Sequence, residues 1–276
     1  MRRAVVTCLY VGLAAVTLAF LALPIAAIFV HTPPGNLLDQ LSNPVVKDAF
    51  VVSLKTSLIA QALILLFGTP TAYLLATNRF AGHSLAVTLV ELPLVLPPAV
   101  AGVGLLVAFG RVGLLGSSLD AFGITLPFTQ SAVTIAVAYV ASPLYIRQAI
   151  AAFEATDPNL AAASRTLGAS PARTFFRVVL PLARGGLIAG LALSFARGLG
   201  EFGATIMFAG SLQRVTQTLP LAIYAEFDQN FDTTLAMGGV LVLISALLLL
   251  TLRIALSWQR SPSSGSPSLF GISSSA

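Results

Sequence analysis

Six long apolar runs, separated by short polar segments, make up most of this sequence. They cover 5–30, 49–76, 85–109, 131–153, 182–209 and 235–256. A helix that crosses a bilayer needs about 20 mostly apolar residues, and each run is long enough. The remainder cannot offset them. Of 276 residues, 57% are hydrophobic and only 9% charged, with a mean hydropathy of +0.92. A soluble domain carries roughly 25% charge, so a soluble enzyme or binding domain is set aside. The expected class is an all-α integral membrane protein with six transmembrane helices within 5–257.

The first run follows Arg2 and Arg3, as a secretory signal would. A signal's apolar core is about 7–15 residues, and this run is nearly twice that, so it reads as a retained anchor. Basic residues in cytoplasmic loops set orientation. With residues 1–4 placed inside, the inner segments hold Arg2, Arg3, Arg79, Arg165, Arg173, Arg177, Arg184, Arg253 and Arg260. The outer ones hold only Lys47, Arg111 and Arg214, while most acidic residues, from Asp39 and Asp48 to Asp232, also fall outside. The expected protein is therefore multi-pass in the cytoplasmic membrane with both termini cytoplasmic. Residues 258–276, rich in Ser, Gly and Pro, read as a disordered tail. No internal repeat stands out, which weighs against an inverted-repeat secondary transporter.

Several chemistries have no residues to carry them. The single Cys8 excludes a disulfide framework and a Cys-based metal site. His31 and His83 lie far apart and suggest no site. There is no G-x-x-x-x-G-K-[ST] loop, no H-E-x-x-H and no Ser, His and acid set, so no catalytic residue and no metal ligand is nominated. Gly198, Gly200 and Gly203 form a G-x-G-x-x-G, but inside an apolar helical run, where small residues serve close packing. A stand-alone channel or secondary transporter remains a rival; a membrane-embedded enzyme is disfavoured.

The longest inner segment, about 154–181, is the most informative. Asp157-Pro158 is an N-cap followed by Pro at the first helical position, and Gly168 is a C′ stop. They predict a helix over 158–167 with Leu160, Ala163, Ser164 and Leu167 on one face. Ser170-Pro171 opens a second helix, expected to end at Pro181. Such a projecting helix either lies on the lipid headgroups or docks a cytoplasmic partner.

This loop resembles the E-A-A-x-x-x-G-x(9)-I-x-L-P loop of ABC importer permeases. Ala162, Ala163, Ser164, Leu167, Gly168, Leu180 and Pro181 stand at the matching positions. The family's Glu falls on Ala162 and its second Ala on Ser164. The stretches 92–98 and 196–205 resemble the oxyanion branch, the molybdate and sulfate permeases. Residues 205–210 and 216–224 are similar to the molybdate permeases. The resemblance, over about 45–257, implies a type I ABC importer permease fold and a homodimer. It also implies two copies of a cytoplasmic ABC ATPase docked near 158–167 and an extracytoplasmic molybdate-binding protein. Nucleic acid is not a partner; membrane lipid is. No cofactor belongs to this chain, and ATP and magnesium are expected in the ATPase. The implied cargo is molybdate, with sulfate, thiosulfate or tungstate as the alternative.

Anion passage needs hydrogen-bond donors and some positive potential without a deep trap. In the fifth run Gly186, Gly190, Ser194, Arg197, Glu201 and Thr205 recur at spacings of three and four, one face of a continuous helix. Gly186 and Gly190 permit close helix contact. Arg197 and Glu201 are placed to pair, either as a pathway or gate or as a lock between helices. Glu91, followed by Pro93, Pro97 and Pro98, either lines a pathway or marks a kink. Lys55, with Ser53, Thr56 and Ser57, starts the second run, as a snorkelling side chain or an anion attractor.

Overall fold

A computed structural model describes residues 2–32, 35, 39–40 and 42–259; among them every regular element is helical. The first helix, α1, is Arg2–His31. Next come α2 (Pro44–Leu63) and α3 (Thr69–Thr77), which a π turn at Ile64–Gly68 joins into one span. The pair α4 (His83–Val95) and α5 (Pro98–Phe109) is bent by 116°. A short α6 (Gly116–Ala121) precedes α7 (Gln130–Glu154). Then come α8 (Pro158–Thr166) and α9 (Pro171–Thr174), and a π turn at Phe175–Val179 leads into α10 (Leu180–Leu199). The chain closes with α11 (Gly203–Ala209), α12 (Leu219–Glu226) and α13 (Phe231–Gln259). Five helical runs are long and apolar enough to cross a membrane, and the bent pair makes six. Of the tail expected at 258–276, Trp258 and Gln259 are helical, and 260–276 lie outside the described residues.

Prolines decide where these spans break and where they do not. At Leu96-Pro97-Pro98 two donors are missing, and the residue before a proline is driven out of the helical region. Leu96 and Pro97 are accordingly extended, with ψ of 134° and 131°, and the third span bends there. Pro70 and Pro181 have the same defects but end nothing. Each follows a π turn whose wider loop takes up the ring and the missing bond. Leu180 N–H reaches back five residues to Phe175 O. The loop's second helix therefore does not stop at Pro181, as the sequence suggested. It runs on as one 29-residue span, Pro171–Leu199.

The fifth span also departs from expectation. Read as one helix over 182–209, it stops at Leu199 and restarts at Gly203. Glu201 lies in the break, so the proposed continuous face from Gly186 to Thr205 does not exist. The small residues at 198, 200 and 203 straddle the break: Gly198 packs on Val137 and Gly203, opening α11, on Pro98, while Gly200 lies between the helices. The close contact predicted for Gly186 and Gly190 is present. A Cβ at Gly186 would lie 2.5 Å from Ala152 Cβ, and one at Gly190 2.9 Å from Gln148 Cβ. So α10 lies tightly along α7.

The core is built around α7. One end buries Val133, Val137 and Val140 with Leu105, Ala204 and Phe208. The other buries Tyr145, Ile146 and Phe153 with Ile64, Val179 and Leu187. Tyr145 OH meets Thr69 Oγ1 at 2.6 Å, satisfying the one polar atom that this aromatic brings inside. By contrast α1 packs on α13 and leaves Leu9, Leu13, Val16 and Phe20 exposed, an apolar surface suited to lipid.

Candidate functional site

The loop helix α8 is held at both ends by its own sequence. The Asp157 carboxylate accepts from Asn159 N–H at 2.9 Å, and Pro158 fills the first helical position, where no donor is needed. The helix is one residue shorter than expected, because Leu167 already leaves helical geometry. Gly168 takes φ of +85°, its N–H reaching Arg165 O at 2.9 Å while Ala169 N–H reaches Ser164 O at 3.1 Å. This double bond pattern is a Schellman stop. Ser164 Oγ meets Thr174 Oγ1 at 3.1 Å and ties α8 to α9. Ala162 and Ala163 are exposed, and Leu167 is 88% exposed at the tip. Leu180 and Pro181 sit where the second π turn passes into α10. Beside α8 runs a groove of about 830 Å³, whose wall includes Tyr73, Arg79, Asp157, Pro158, Ala162 and Arg165.

Arg197 and Glu201 do pair, though across the helix break. Arg197 Nη1 lies 2.6 Å from Glu201 Oε2. Glu201 Oε1 accepts Ala204 N–H at 2.7 Å, capping the first turn of α11. The carboxylate is thus fully engaged, and its side chain is 1% exposed against 33% for Arg197. The break itself is pressed against the bend of the third span. A Cβ on Gly203 would fall 2.8 Å from Pro98 Cβ, and one on Gly102 2.6 Å from Ala204 O.

Around this break several polar side chains are buried. Ser194 Oγ donates to Gln61 Oε1 at 2.9 Å, while Gln61 Nε2 and Thr205 Oγ1 have no partner among the described residues. Unpartnered buried polar atoms cost free energy, so their presence in the bundle interior marks a place where stability is not the only demand. Gln61 was not read from the sequence. Its register with Ser53, Thr56 and Ser57 on α2, all buried, was the available signal.

The other two pathway candidates lie elsewhere. Lys55 Nζ donates to Gln130 Oε1 at 2.8 Å, at the start of α7. Its neighbour Ser53 accepts Leu219 N–H at 2.7 Å, anchoring α12. Glu91 Oε1 meets Arg147 Nε at 3.1 Å, and Arg79 Nη2 meets Glu154 Oε1 at 3.4 Å. Arg147 escaped the sequence reading because one charge does not interrupt an apolar run. The structure therefore pairs Arg197 with Glu201, buries Ser194 and Thr205 on the two helices that flank the break, and leaves Glu91 and Lys55 apart. Among the described residues no group of three or more His, Cys, Asp or Glu could hold a metal ion.

The family model for "Binding-protein-dependent transport system inner membrane component" matches residues 64–259. The Molybdenum transport system permease protein ModB of Mycobacterium tuberculosis (strain ATCC 25618 / H37Rv) is 39% identical over 233 residues. That match takes in 84% of this chain and 88% of the relative. ModB of Escherichia coli (strain K12) is 45% identical over 178 residues, covering 64% and 78% of the two chains. The Sulfate transport system permease protein CysT of Salmonella typhimurium is 37% identical over 216 residues, covering 78% of each. Among solved structures, a bacterial alginate ABC transporter, in complex with its alginate pentasaccharide-bound periplasmic protein, shares the fold. Its TM-score is 0.70 at 15% identity, over 94% of this chain and 95% of that one.

Proposed function

The chain belongs to the family of binding-protein-dependent transport system inner membrane components, and from that premise we propose that it is the permease subunit of an ATP-driven molybdate importer. The observation that carries the substrate is the similarity to ModB permeases along most of the chain. The match to a sulfate permease supports sulfate as the second reading. ATP hydrolysis belongs to a separate ATPase subunit, which holds ATP and magnesium; this chain supplies the passage.

The reading assembles a homodimer of this permease with two ATPase subunits and an extracytoplasmic binding protein. Both termini and α8 face the cytoplasm, in line with the excess of arginine on that side. The ATPase docks on α8 through Ala162, Ala163, Ser164 and the exposed Leu167, steered by the caps at Asp157–Pro158 and Gly168 and by the junction at Leu180–Pro181. With Ala at 162, this docking is apolar where relatives of the loop type use Glu. Closure of the ATPases moves α8, and α9 transmits that motion into α10 because the π turn keeps the helix continuous past Pro181. Arg197, Glu201, Ser194 and Thr205 then act at the gate, while Lys55 and Glu91 lie toward the two mouths. A dianion in a low-dielectric passage needs such donors and positive potential to offset lost hydration.

The test is uptake of radiolabelled molybdate into proteoliposomes holding this permease, its ATPase and its binding protein. ATP-dependent uptake that unlabelled sulfate competes for only weakly is the expected result. Uptake of sulfate in preference to molybdate moves the cargo to the second reading, and transport without the ATPase refutes the importer.

A further inference from the structure

Arg147 occupies a place that the proposed function leaves unexplained. It sits seven residues before the end of α7, about 10 Å along the helix at 1.5 Å per residue, in a run long and apolar enough to cross a membrane. A guanidinium within a membrane span is costly unless it meets water or a counter-charge, and such residues mark ion and substrate pathways. Its only partner among the described residues is Glu91 on α4, through Nε at 3.1 Å. The two Nη groups, the prongs of the fork, are uncommitted. The side chains of Arg147 and Glu91 are 59% and 42% exposed, and both open on a cavity of about 310 Å³.

The same cavity is lined by Arg79, His83 and Glu154. Arg79 is engaged through Nη2, at 3.4 Å from Glu154. His83 Nε2 lies 2.9 Å from Leu75 O. Each carboxylate therefore already has a basic partner, and both Nη groups of Arg147 stay open, whereas Arg79 spends one of its own on Glu154. The contrast with Arg197 is instructive. There the carboxylate is buried, held at 2.6 Å and tied again to Ala204 N–H, so the pair is locked. Here the pair is open, longer and single.

We propose that this cavity is a binding station for a tetrahedral oxyanion, held by the Arg147 Nη groups, with the Glu91 carboxylate as its built-in competitor. Two parallel N–H donors match two oxygens of such an anion, which a single ammonium cannot do. The neighbouring carboxylate keeps the hold shallow, as a site that must let its ion go requires. The inference rests on the importer reading, in which the Arg79 and Glu154 end of the cavity faces the cytoplasm. The rival is a latch, in which Arg147 only pins α4, a helix without a fully buried residue, onto α7.

The experiment uses the permease–ATPase complex in nanodiscs without nucleotide and radiolabelled molybdate in equilibrium dialysis. Arg147→Gln is expected to weaken binding about tenfold or more, the usual scale for losing a charged hydrogen-bond donor pair. Glu91→Gln is expected to tighten binding severalfold and, in proteoliposomes, to slow kcat of uptake with little change in KM. Opposite signs for the two substitutions are the signature of the station. A latch loosens equally from either side, so an equal loss of molybdate binding in both variants, or unchanged binding in both, overturns the proposal. Should Arg147→Gln not assemble, Arg147→Lys decides the matter. It keeps the charge without the fork, and binding as tight as in the unmodified complex overturns the proposal. Loss of uptake in the unmodified complex removes the importer reading itself. Normal uptake with unaltered binding in the variants removes this inference alone.

Discussion

Removing either member of the Arg197–Glu201 pair should destabilise the permease, and by unequal amounts. Breaking a buried ion pair from one side costs about 3–5 kcal/mol, because the other charge is left behind. The two ends differ in what is left. After Arg197→Gln a carboxylate only 1% exposed retains a single donor, Ala204 N–H. That loss belongs near the top of the range, about 4–5 kcal/mol. After Glu201→Gln the remaining guanidinium, 33% exposed, can turn toward solvent, and the new amide oxygen can still accept from Ala204. About 2 kcal/mol is expected there. The double variant leaves no stranded charge and should cost clearly less than the sum, giving a coupling of about 2 kcal/mol or more. Unfolding by SDS in mixed micelles, followed by circular dichroism, measures all three. Equal losses for the single variants, or an additive double variant, would refute the reasoning. Uptake by the folded double variant then separates the roles. Recovered transport assigns the pair to structure, and continued slow transport assigns Arg197 to the passage.

Gly168→Val should cost about 1–2 kcal/mol locally, since φ of +85° is unfavourable for an L side chain although no atom lies within 4 Å of the added Cβ. The permease should still insert, while binding-protein-stimulated ATP hydrolysis falls; normal coupling would remove α8 from docking. Gly102→Ala should lower thermal stability by about 1–3 kcal/mol, because its Cβ meets the Ala204 carbonyl at 2.6 Å. Gly104→Ala, in open space two residues on, should be neutral or up to about 1 kcal/mol stabilising through helix propensity, and the reverse order of melting temperatures would contradict the α5–α11 contact. Gln61→Leu removes a buried amide nitrogen without a partner and leaves Ser194 its contact to Leu191 O at 3.0 Å. Its unfolding free energy should stay within about 1 kcal/mol of the original, and a larger loss would mean that the amide carries structure.

The spans and the loop caps were legible because their signals are local. Twenty apolar residues, an Asp-Pro start and a glycine stop each act within one turn of helix. The pairing of Arg197 with Glu201 was anticipated from a helical spacing of four, yet it forms across a break. Nothing apolar distinguishes 200–202 from its flanks, and the glycines there suit a packed helix as well as an interrupted one. What settles the break is Pro98 of the third span lying against Gly203, a contact between residues a hundred positions apart. Arg147 and Gln61 were missed for the opposite reason: single polar residues in long apolar runs gain meaning only from the neighbours that folding supplies. Pro181 shows the same limit, since a proline forecasts a stop only when no wider turn precedes it.

Those wider turns have a consequence for the register of the chain. A π turn is an α-helix with one residue added, and each residue advances a helix by about 100°. Everything beyond Phe175–Val179 is therefore rotated by about that angle relative to an uninterrupted helix from α9. The same holds past Ile64–Gly68 in the second span. The small-residue stripe that carries Gly186 and Gly190 onto α7 is in phase because of this insertion. A deletion of one residue inside the turn would restore ideal α geometry there. It would also swing that stripe away from α7 and leave Pro181 with no room for its ring, so an extra amino acid is here a condition of correct assembly.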